Sequence, residues 1–334
     1  MGVILPDDKK PFIPQIKVVG AGGGGGNVVS RLNRQGIQGV ELIACNTDLQ
    51  ALKGTLVPRQ VLLGPATTRG QGAGANPEVG RKSALESERE LTEVLQGAQL
   101  VFLAVGLGGG TGTGSAPVVA SAARQLGALT VGMVTLPFSF EGRRRMASAL
   151  AGLEELRPKV DVLLVIPNDR LLALAPKNLS MVKAFEMADK VLGDAICGLS
   201  DLITLVGLIN VDFSDVRTIL ENKGGAVMGR GSASGPDRLV RAAQAAIQNP
   251  LMGNADIRGA KGILAHVMGN EELSLLEVNE VMDSISREAG ENVNLIFGAT
   301  THPSMGDEVS LMMIVTGLEA SPDQTPGWRV NGRM

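Results

Sequence analysis

Two glycine runs constrain this chain more than any other feature of its sequence. The first, Gly20-Ala21-Gly22-Gly23-Gly24-Gly25-Gly26-Asn27, follows directly on the apolar run Ile16–Gly20, and a helical pattern begins at Val28. The second, Gly106-Leu107-Gly108-Gly109-Gly110-Thr111-Gly112-Thr113-Gly114-Ser115, follows Leu100–Val105 and opens another helix. Glycine lets backbone amides crowd against a ligand, and a helix N-terminus carries partial positive charge. A strand–glycine–helix junction is therefore a place for an anion. The first run alone is a weak signal. It also satisfies a dinucleotide fingerprint through Gly20, Gly22 and Gly25, with Asp48 placed as a ribose ligand, and a tight turn packed on a sheet would look the same. The second run is more specific, because the hydroxyls of Thr111 and Thr113 add donors to the crowded amides. Two phosphate loops at the carboxyl ends of neighbouring strands suit one triphosphate better than a dinucleotide. A P-loop is excluded: the nearest approach, Gly80-Arg81-Lys82-Ser83, has the wrong spacing.

The flanking sequence supplies the frame for such loops. Short apolar runs at Ile16–Gly20, Val40–Ala44, Val61–Gly64, Leu100–Val105, Leu129–Val134 and Val160–Ile166 alternate with helical stretches such as Pro77–Leu95 and Gly142–Leu156. That alternation predicts an α/β fold, a Rossmann-like domain with a parallel sheet covered on both faces. Val182, Phe185, Ala188, Leu192, Ile196, Leu199 and Ile203 then step by three or four residues. They predict a long central helix of about 33 Å, enough to join two domains. Beyond it the pattern changes to a smaller α+β domain. A Gly/Ser-rich strand at Gly225–Gly235 leads to a helix at Asp237–Ile247, a strand at Gly262–Val267 and a helix at Leu275–Glu288. Strands at Val293–Phe297 and Val309–Val315 complete it. The expected boundaries are an N-terminal arm at 1–15, a nucleotide domain at 16–180, the helix at 181–205, the second domain at 206–318 and a tail at 319–334.

Composition removes several classes. With 2% aromatic residues, no Tyr and a net charge of −3, the chain lacks the basic excess and stacking rings of a nucleic-acid binder. Cys45 and Cys197 sit in apolar stretches and read as buried thiols of a reducing compartment, without a disulfide. No Cys/His cluster has metal-ligand spacing, so no side-chain metal site is expected. No secretory signal and no apolar run of about 18 residues is seen, which points to a cytoplasmic protein with no membrane insertion. A nicotinamide-dependent dehydrogenase would use the first glycine run, but it leaves the second unexplained and finds no catalytic His in the first domain.

The segment Gly108-Gly109-Gly110-Thr111-Gly112-Thr113-Gly114 resembles the signature of the tubulin/FtsZ superfamily. Further similar segments are Asn46-Thr47-Asp48, Gly74-Ala75-Asn76-Pro77-Glu78, Phe140-Glu141-Gly142-Arg143-Arg144-Arg145, Pro167-Asn168-Asp169 and Asn210-Val211-Asp212-Phe213-Ser214-Asp215. Together they run from about Ile16 to Leu318. The resemblance implies a GTPase that assembles head to tail, with GTP or GDP bound and Mg²⁺ held mainly through the phosphates. It places the phosphates on Gly23, Gly24, Gly25, Gly26 and Asn27 and on Gly109 to Gly112, and it puts Gly74, Ala75 and Asn76 near the γ-phosphate. Asn46 and Asp48 fall beside the nucleotide. Glu141 and Arg145 fall at ribose and phosphate, while Arg143 and Arg144 read as a solvated face. Asn168 and Asp189 match guanine-reading positions, and Phe185 would stack on the base while also serving the apolar stripe of its helix.

Asn210, Asp212 and Asp215 carry two readings. Spacing alone makes Asp212 a helix N-cap and Asp215 its acidic partner. The resemblance makes them catalytic, entering the nucleotide pocket of the next subunit to polarise water. It also implies a role in bacterial cell division, in a ring at midcell, with a longer FtsZ and division regulators as further partners.

Division proteins of this superfamily usually continue through a long linker to a terminal peptide that binds membrane adaptors. This chain stops at Met334, and Asp323, Pro326, Trp328 and Arg329 only faintly match such a peptide. The expectation is a tail-less form without adaptor binding. It is either a shortened chain or a paralogue with a specialised duty, for example magnetosome-associated, that co-assembles with a principal FtsZ. Leu205-Val206-Gly207 stands where many relatives carry Arg-Pro-Gly.

Overall fold

A computed structural model describes residues 14–318 apart from 177, 222–224, 254 and 291. The expected arm (except its last two residues) and the expected tail lie outside the described residues. Gln15, counted in the arm, is already tied down: its carbonyl accepts from the amides of Gln99 and Leu100.

The first half alternates as expected: β1 (Ile16–Ala21), α1 (Gly22–Gln35), β2 (Val40–Asn46), α2 (Leu49–Lys53), β3 (Arg59–Leu62) and α3 (Pro65–Thr68). Then come α4 (Pro77–Glu86), α5 (Glu88–Leu95), β4 (Leu100–Gly106), α6 (Thr111–Gln125), β5 (Leu129–Leu136), α7 (Arg143–Leu156), β6 (Val162–Pro167) and α8 (Asn168–Leu171). The long helix is α9 (Met181–Thr204), followed by α10 (Phe213–Leu220). The second half holds β7 (Gly225–Ser234), α11 (Arg238–Ile247), β8 (Gly262–Gly269), α12 (Leu275–Ala289), β9 (Asn294–Thr301) and β10 (Glu308–Leu318).

Pro77–Leu95, expected as one helical stretch, is two helices. They break at Ser87, whose buried hydroxyl accepts from the Gly64 amide at 3.1 Å and donates to the Leu62 carbonyl at 3.3 Å. A side chain drawn to the end of β3 turns the backbone out of helical geometry there.

The strands form one ten-stranded sheet in the order β3-β2-β1-β4-β5-β6-β7-β10-β8-β9. The first six are parallel to their neighbours. A single parallel pairing, Leu164 with Ala226, joins the two halves of the sheet. β10 pairs antiparallel with both β7 and β8, and β8 pairs parallel with β9.

Unbroken apolar runs are what a sheet buried on both faces demands. In β4, Leu100, Phe102 and Ala104 enter one core while Val101, Leu103 and Val105 enter another. The first core is capped by α1 and α9, the second by α5, α6 and α7. A third core lies between the second half of the sheet and α11 and α12. The first core does not stop at the junction. Ile196, Leu199 and Leu202 of α9 share it with Val18 and Phe102 on one side and Leu264, Met312 and Ile314 on the other. Gly198 permits the contact, since a Cβ there would lie 2.6 Å from Met312 Cε. An ion pair of 2.8 Å between Asp194 of α9 and Arg230 of β7 adds a polar clasp.

Both described cysteines are free, and burial pushes the thiols of Cys45 and Cys197 up to about 12. They are protonated at neutral pH and poor nucleophiles.

Leu199→Ala should destabilise the protein by about 2–5 kcal/mol in guanidinium denaturation, because it opens a cavity where the halves meet. Val206→Ala, at a side chain 94% exposed, should change stability by less than about 0.5 kcal/mol.

Candidate functional site

Strand order reverses between β1 and β4, and a crevice opens at such a switch point outside the carboxyl ends of the strands. Both glycine runs end there, and they touch. A Cβ on Gly22 would lie 2.7 Å from the Gly112 amide nitrogen, and one on Gly24 would lie 3.2 Å from the Gly106 Cα. Gly22 also needs its left-handed backbone, at φ 70°. Gly25, buried, packs so tightly that a Cβ would sit 2.2 Å from the Ala104 carbonyl oxygen. Gly26 is buried as well. Gly23 and Gly109 differ: nothing lies within 4 Å of where their Cβ atoms would be. Some glycines of the two runs thus seal the loops together, while others leave an open cradle lined with backbone.

The threonine hydroxyls, expected as donors to a phosphate, each have a partner within the protein. Thr113 is 2% exposed, and its hydroxyl accepts from the Gly108 amide at 2.8 Å. The Thr111 hydroxyl shares a 2.6 Å hydrogen bond with that of Thr47. Both bonds brace the loop. Gly108 itself has φ 101°, and a Cβ there would meet Arg145 and Pro137 at 2.8 Å.

The loop Gly74-Ala75-Asn76 leads into α4, which packs on α6 at backbone distance. A Cβ on Gly80 would lie 2.3 Å from the Gly110 carbonyl oxygen, and one on Gly114 only 1.9 Å from that of Pro77. Ala75 is left-handed at φ 58°, a strained conformation for a residue with a Cβ. The Asn76 side chain accepts from the Glu78 amide at 3.0 Å and caps α4. Asp48 likewise caps α2, accepting from Ala51 at 2.9 Å, and the buried Asn46 accepts from the Asp48 amide at 3.2 Å. These three polar side chains hold turns around the crevice. Glu141 accepts from the Phe138 amide at 2.8 Å and pairs with Arg145 at 3.1 Å, which orients the arginine at the start of α7.

At the other end of the crevice stand Asn27, Asn168, Phe185 and Asp189. Asn168 is buried, and its Oδ1 has no hydrogen-bond partner among the described residues. Such an acceptor is open to a donor from water or a ligand. Burial pushes the Asp189 carboxyl up to about 6; the Asn27 side chain and the Arg31 charge pull it back, and Glu186 opposes them. Phe185 is not alone. Its ring meets Phe138 edge-on at 5.4 Å and Phe140 at 6.3 Å, and Phe138 stacks on Phe140 at 5.0 Å. Three of only seven phenylalanines in the chain therefore meet here. Sequence reasoning quoted Phe140 and Thr47 only as members of similar segments, without a role, and missed Phe138. The scarcity of aromatics was the available signal, since Phe138 and Phe140 lie two apart in the segment that carries Glu141.

Asn210, Asp212 and Asp215 are not brought to this crevice. From Asp189 to the end of α9 at Thr204 the helix rises by about 22 Å. The following loop is pinned at the far end by an antiparallel bridge between Ile209 and Ala299 and by Asn210, whose Oδ1 accepts from the Gly207 amide at 2.7 Å. Asp212 does occupy the N-cap position of α10, but its side chain makes no capping bond. The capping-box reading is therefore corrected. The Asp215 amide bonds to the Asp212 backbone carbonyl at 3.0 Å instead, and both carboxylates are exposed. Among the described residues, no three His, Cys, Asp or Glu side chains converge as a metal site, and no helix is long and apolar enough to cross a membrane.

A switch-point crevice floored by two glycine loops, in a sheet that continues past a long helix into a second layer, defines a nucleotide-binding protein of the tubulin type. The model of the tubulin/FtsZ family GTPase domain matches residues 15–176, and that of the FtsZ family C-terminal domain matches residues 224–319. FtsZ of M. jannaschii, solved as an empty dimer, is 45% identical with a TM-score of 0.88, over 92% of this chain and 89% of that one. CetZ2 of Haloferax volcanii, solved as a GTPγS-bound protofilament, is 22% identical with a TM-score of 0.80, over 92% and 94%. CetZ1 of the same organism, solved as a GDP-bound monomer, is 24% identical with a TM-score of 0.79, over 92% and 96%; these two share the fold. The chain belongs to the tubulin/FtsZ family and is a GTPase.

The raised carboxyl of Asp189 has a measurable cost. A folded-state value of about 6, above the ordinary 3.8, means that the folded protein holds the proton more tightly than the unfolded chain. That contribution is full below about pH 4 and lost as pH rises through about 6. Asp189→Asn should therefore stabilise the nucleotide-free protein by about 1–3 kcal/mol at pH 7.5 in guanidinium denaturation. The gain should shrink toward zero at pH 4.

Proposed function

We propose that this chain binds GTP in the crevice between its glycine loops and hydrolyses it only where two copies meet head to tail, as a filament-forming protein of cell division. The observation that carries this is the separation of two half-sites along α9. The glycine cradle and the base end lie at its start. The uncapped carboxylate of Asp212 lies beyond its end.

In this reading the open backbone at Gly23 and Gly109 receives the phosphates, with the neighbouring amides of Gly24 and Gly110 and the N-termini of α1 and α6 supplying partial positive charge. Arg145, oriented by Glu141, spreads the charge of the phosphates. Mg²⁺ held through the phosphates would offset part of their charge, and the Asp side chains of a neighbour could then approach them. The strained loop at Ala75 lies where a γ-phosphate would be sensed, and its packing through Gly80 and Gly114 couples it to the second glycine loop. Phe185, braced by Phe138 and Phe140, stacks on the base. Asp189 accepts from guanine N1 and N2, a donor pair that adenine lacks.

Asp212 and Asp215 of one copy position and polarise the attacking water in the site of the next. A contact between unlike ends is heterologous and propagates into an open filament. Exposed apolar side chains at both ends suit such a contact: Leu205, Val206 and Leu208 beside the Asp212 loop, and Leu172, Leu174, Met181 and Val182 near the start of α9. Hydrolysis then weakens the joint it occurs in and sets filament lifetime. A division ring at midcell is where such a filament acts, a role supported by the 45% identity to FtsZ over 92% of the chain.

GTP turnover per subunit, measured with Mg²⁺ against protein concentration, should be near zero below a threshold and rise steeply above it. Asp212→Ala should still bind GTP and assemble, yet hydrolyse it at least about 100-fold more slowly. A rate per subunit that is independent of concentration and untouched by the substitution would sink the proposal.

A further inference from the structure

Thr47 follows directly on β2 and is 0% exposed. Among the described residues its hydroxyl is bonded only to that of Thr111, at 2.6 Å. Its backbone is fixed from two sides. The Thr47 carbonyl accepts from the Gly72 amide at 3.1 Å and from the Thr68 hydroxyl at 3.2 Å. A β-branched side chain on so fixed a backbone has little freedom at χ1. The Thr47 hydroxyl is thereby held against Thr111.

Thr111 is placed differently. It is the first residue of α6 and only half-buried. Its Cβ lies 3.5 Å from where a Cβ on Gly22 would stand, so it sits where the two glycine runs meet. The direction of the hydrogen bond follows from this difference in burial. A hydroxyl has one proton to donate and can accept twice. If Thr111 donated to Thr47, the Thr47 proton would be buried without an acceptor, at the full cost of its desolvation. If Thr47 donates to Thr111, the buried proton has its acceptor. The Thr111 proton is then free to turn toward the crevice.

We propose that Thr47 is a positioning residue for phosphate binding: by donating to Thr111 it directs the Thr111 hydroxyl proton into the glycine cradle, onto a phosphate oxygen of the nucleotide. The inference rests on the reading above that the phosphates lie in that cradle. The Thr111 hydroxyl, though already bonded, thus remains the donor that its place in the second glycine run suggests. Donation into its oxygen also polarises its own O–H, which strengthens the bond it gives to an anion. Through its carbonyl the same Thr47 holds Gly72, so the loop leading to Ala75 and the second glycine loop are registered on one buried residue.

The test is calorimetric titration of the nucleotide-free full chain with GDP, for the wild type, Thr47→Val, Thr111→Val and the double variant. GDP is used so that hydrolysis does not intervene. Thr111→Val removes the donor and should weaken GDP binding about tenfold. Thr47→Val leaves the donor but releases its proton among three staggered positions, and should weaken binding about threefold. Added to Thr111→Val, it should cost nothing further. Thr47→Ser, which keeps the hydroxyl, should recover most of the loss. An equal loss from Thr47→Val in both backgrounds would overturn the inference, since Thr47 would then act through packing alone. Wild-type affinity in Thr47→Val, or in Thr111→Val, would overturn it as well. Should Thr47→Val fail to fold, Thr47→Cys, whose thiol is a weak donor, takes its place in the same comparison with the same outcomes. Failure of the wild type to bind GDP would overturn the phosphate reading itself, and the inference with it.

Discussion

The approach of two glycine turns at backbone distance governs the rest of this structure. β1 and β4 run side by side, yet α1 covers one face of the sheet and α6 the other. Their first turns must therefore cross at the sheet's edge, where Gly22 meets Gly112 and Gly24 meets Gly106. Any side chain at the tightest of these positions would force the turns apart. Closing them leaves two helix N-termini aimed at one place, with Gly23 and Gly109 open to it. Phosphate binding is thus a consequence of how the sheet reverses its winding.

The closure extends outward through further backbone contacts. Gly80 on Gly110 and Gly114 on Pro77 bind α4 to α6, and the strained Ala75 sits just before α4. Strain of this kind persists only where surrounding packing dictates it. Movement at Ala75 would be felt at the second glycine loop, because no flexible side chain lies between them to absorb it. At the opposite flank, α9 shares one core with both halves of the sheet, and Gly198 under Met312 leaves no slack. Nucleotide-end geometry and the Asp212 loop are in this way mounted on the same helix.

The base end of the crevice is assembled at the expense of stability. Asp189 is half-buried with a carboxyl that resists ionisation, and among the described residues Asn168 Oδ1 and Arg31 Nε have no hydrogen-bond partner. Each of these groups is held away from water without full compensation from the protein. The three phenylalanine rings do the opposite work, since they pack against each other whether or not a base is present. Rigid rings and unsatisfied polar atoms together make a site that is shaped beforehand and gains most from the ligand it fits.

Much of this was legible in the chain itself. The strand–glycine–helix junctions, the parallel half of the sheet and the length of α9 follow from local periodicity and from glycine's backbone freedom, which depend on neighbours in sequence. Other features depend on neighbours in space and were not legible. The break at Ser87 arises because its hydroxyl is drawn to Gly64 and Leu62. The inward turn of Thr113 arises because Gly108 offers an amide behind it. The sequence could place Asp212 at a helix start, but only the tertiary structure shows that its carboxylate makes no capping bond and lies far from the glycine loops of its own chain. Arg31 carried no motif at all. The burial of its Nε without a partner among the described residues emerges only when α1 and α9 are brought together, because burial is a property of surroundings and not of spacing.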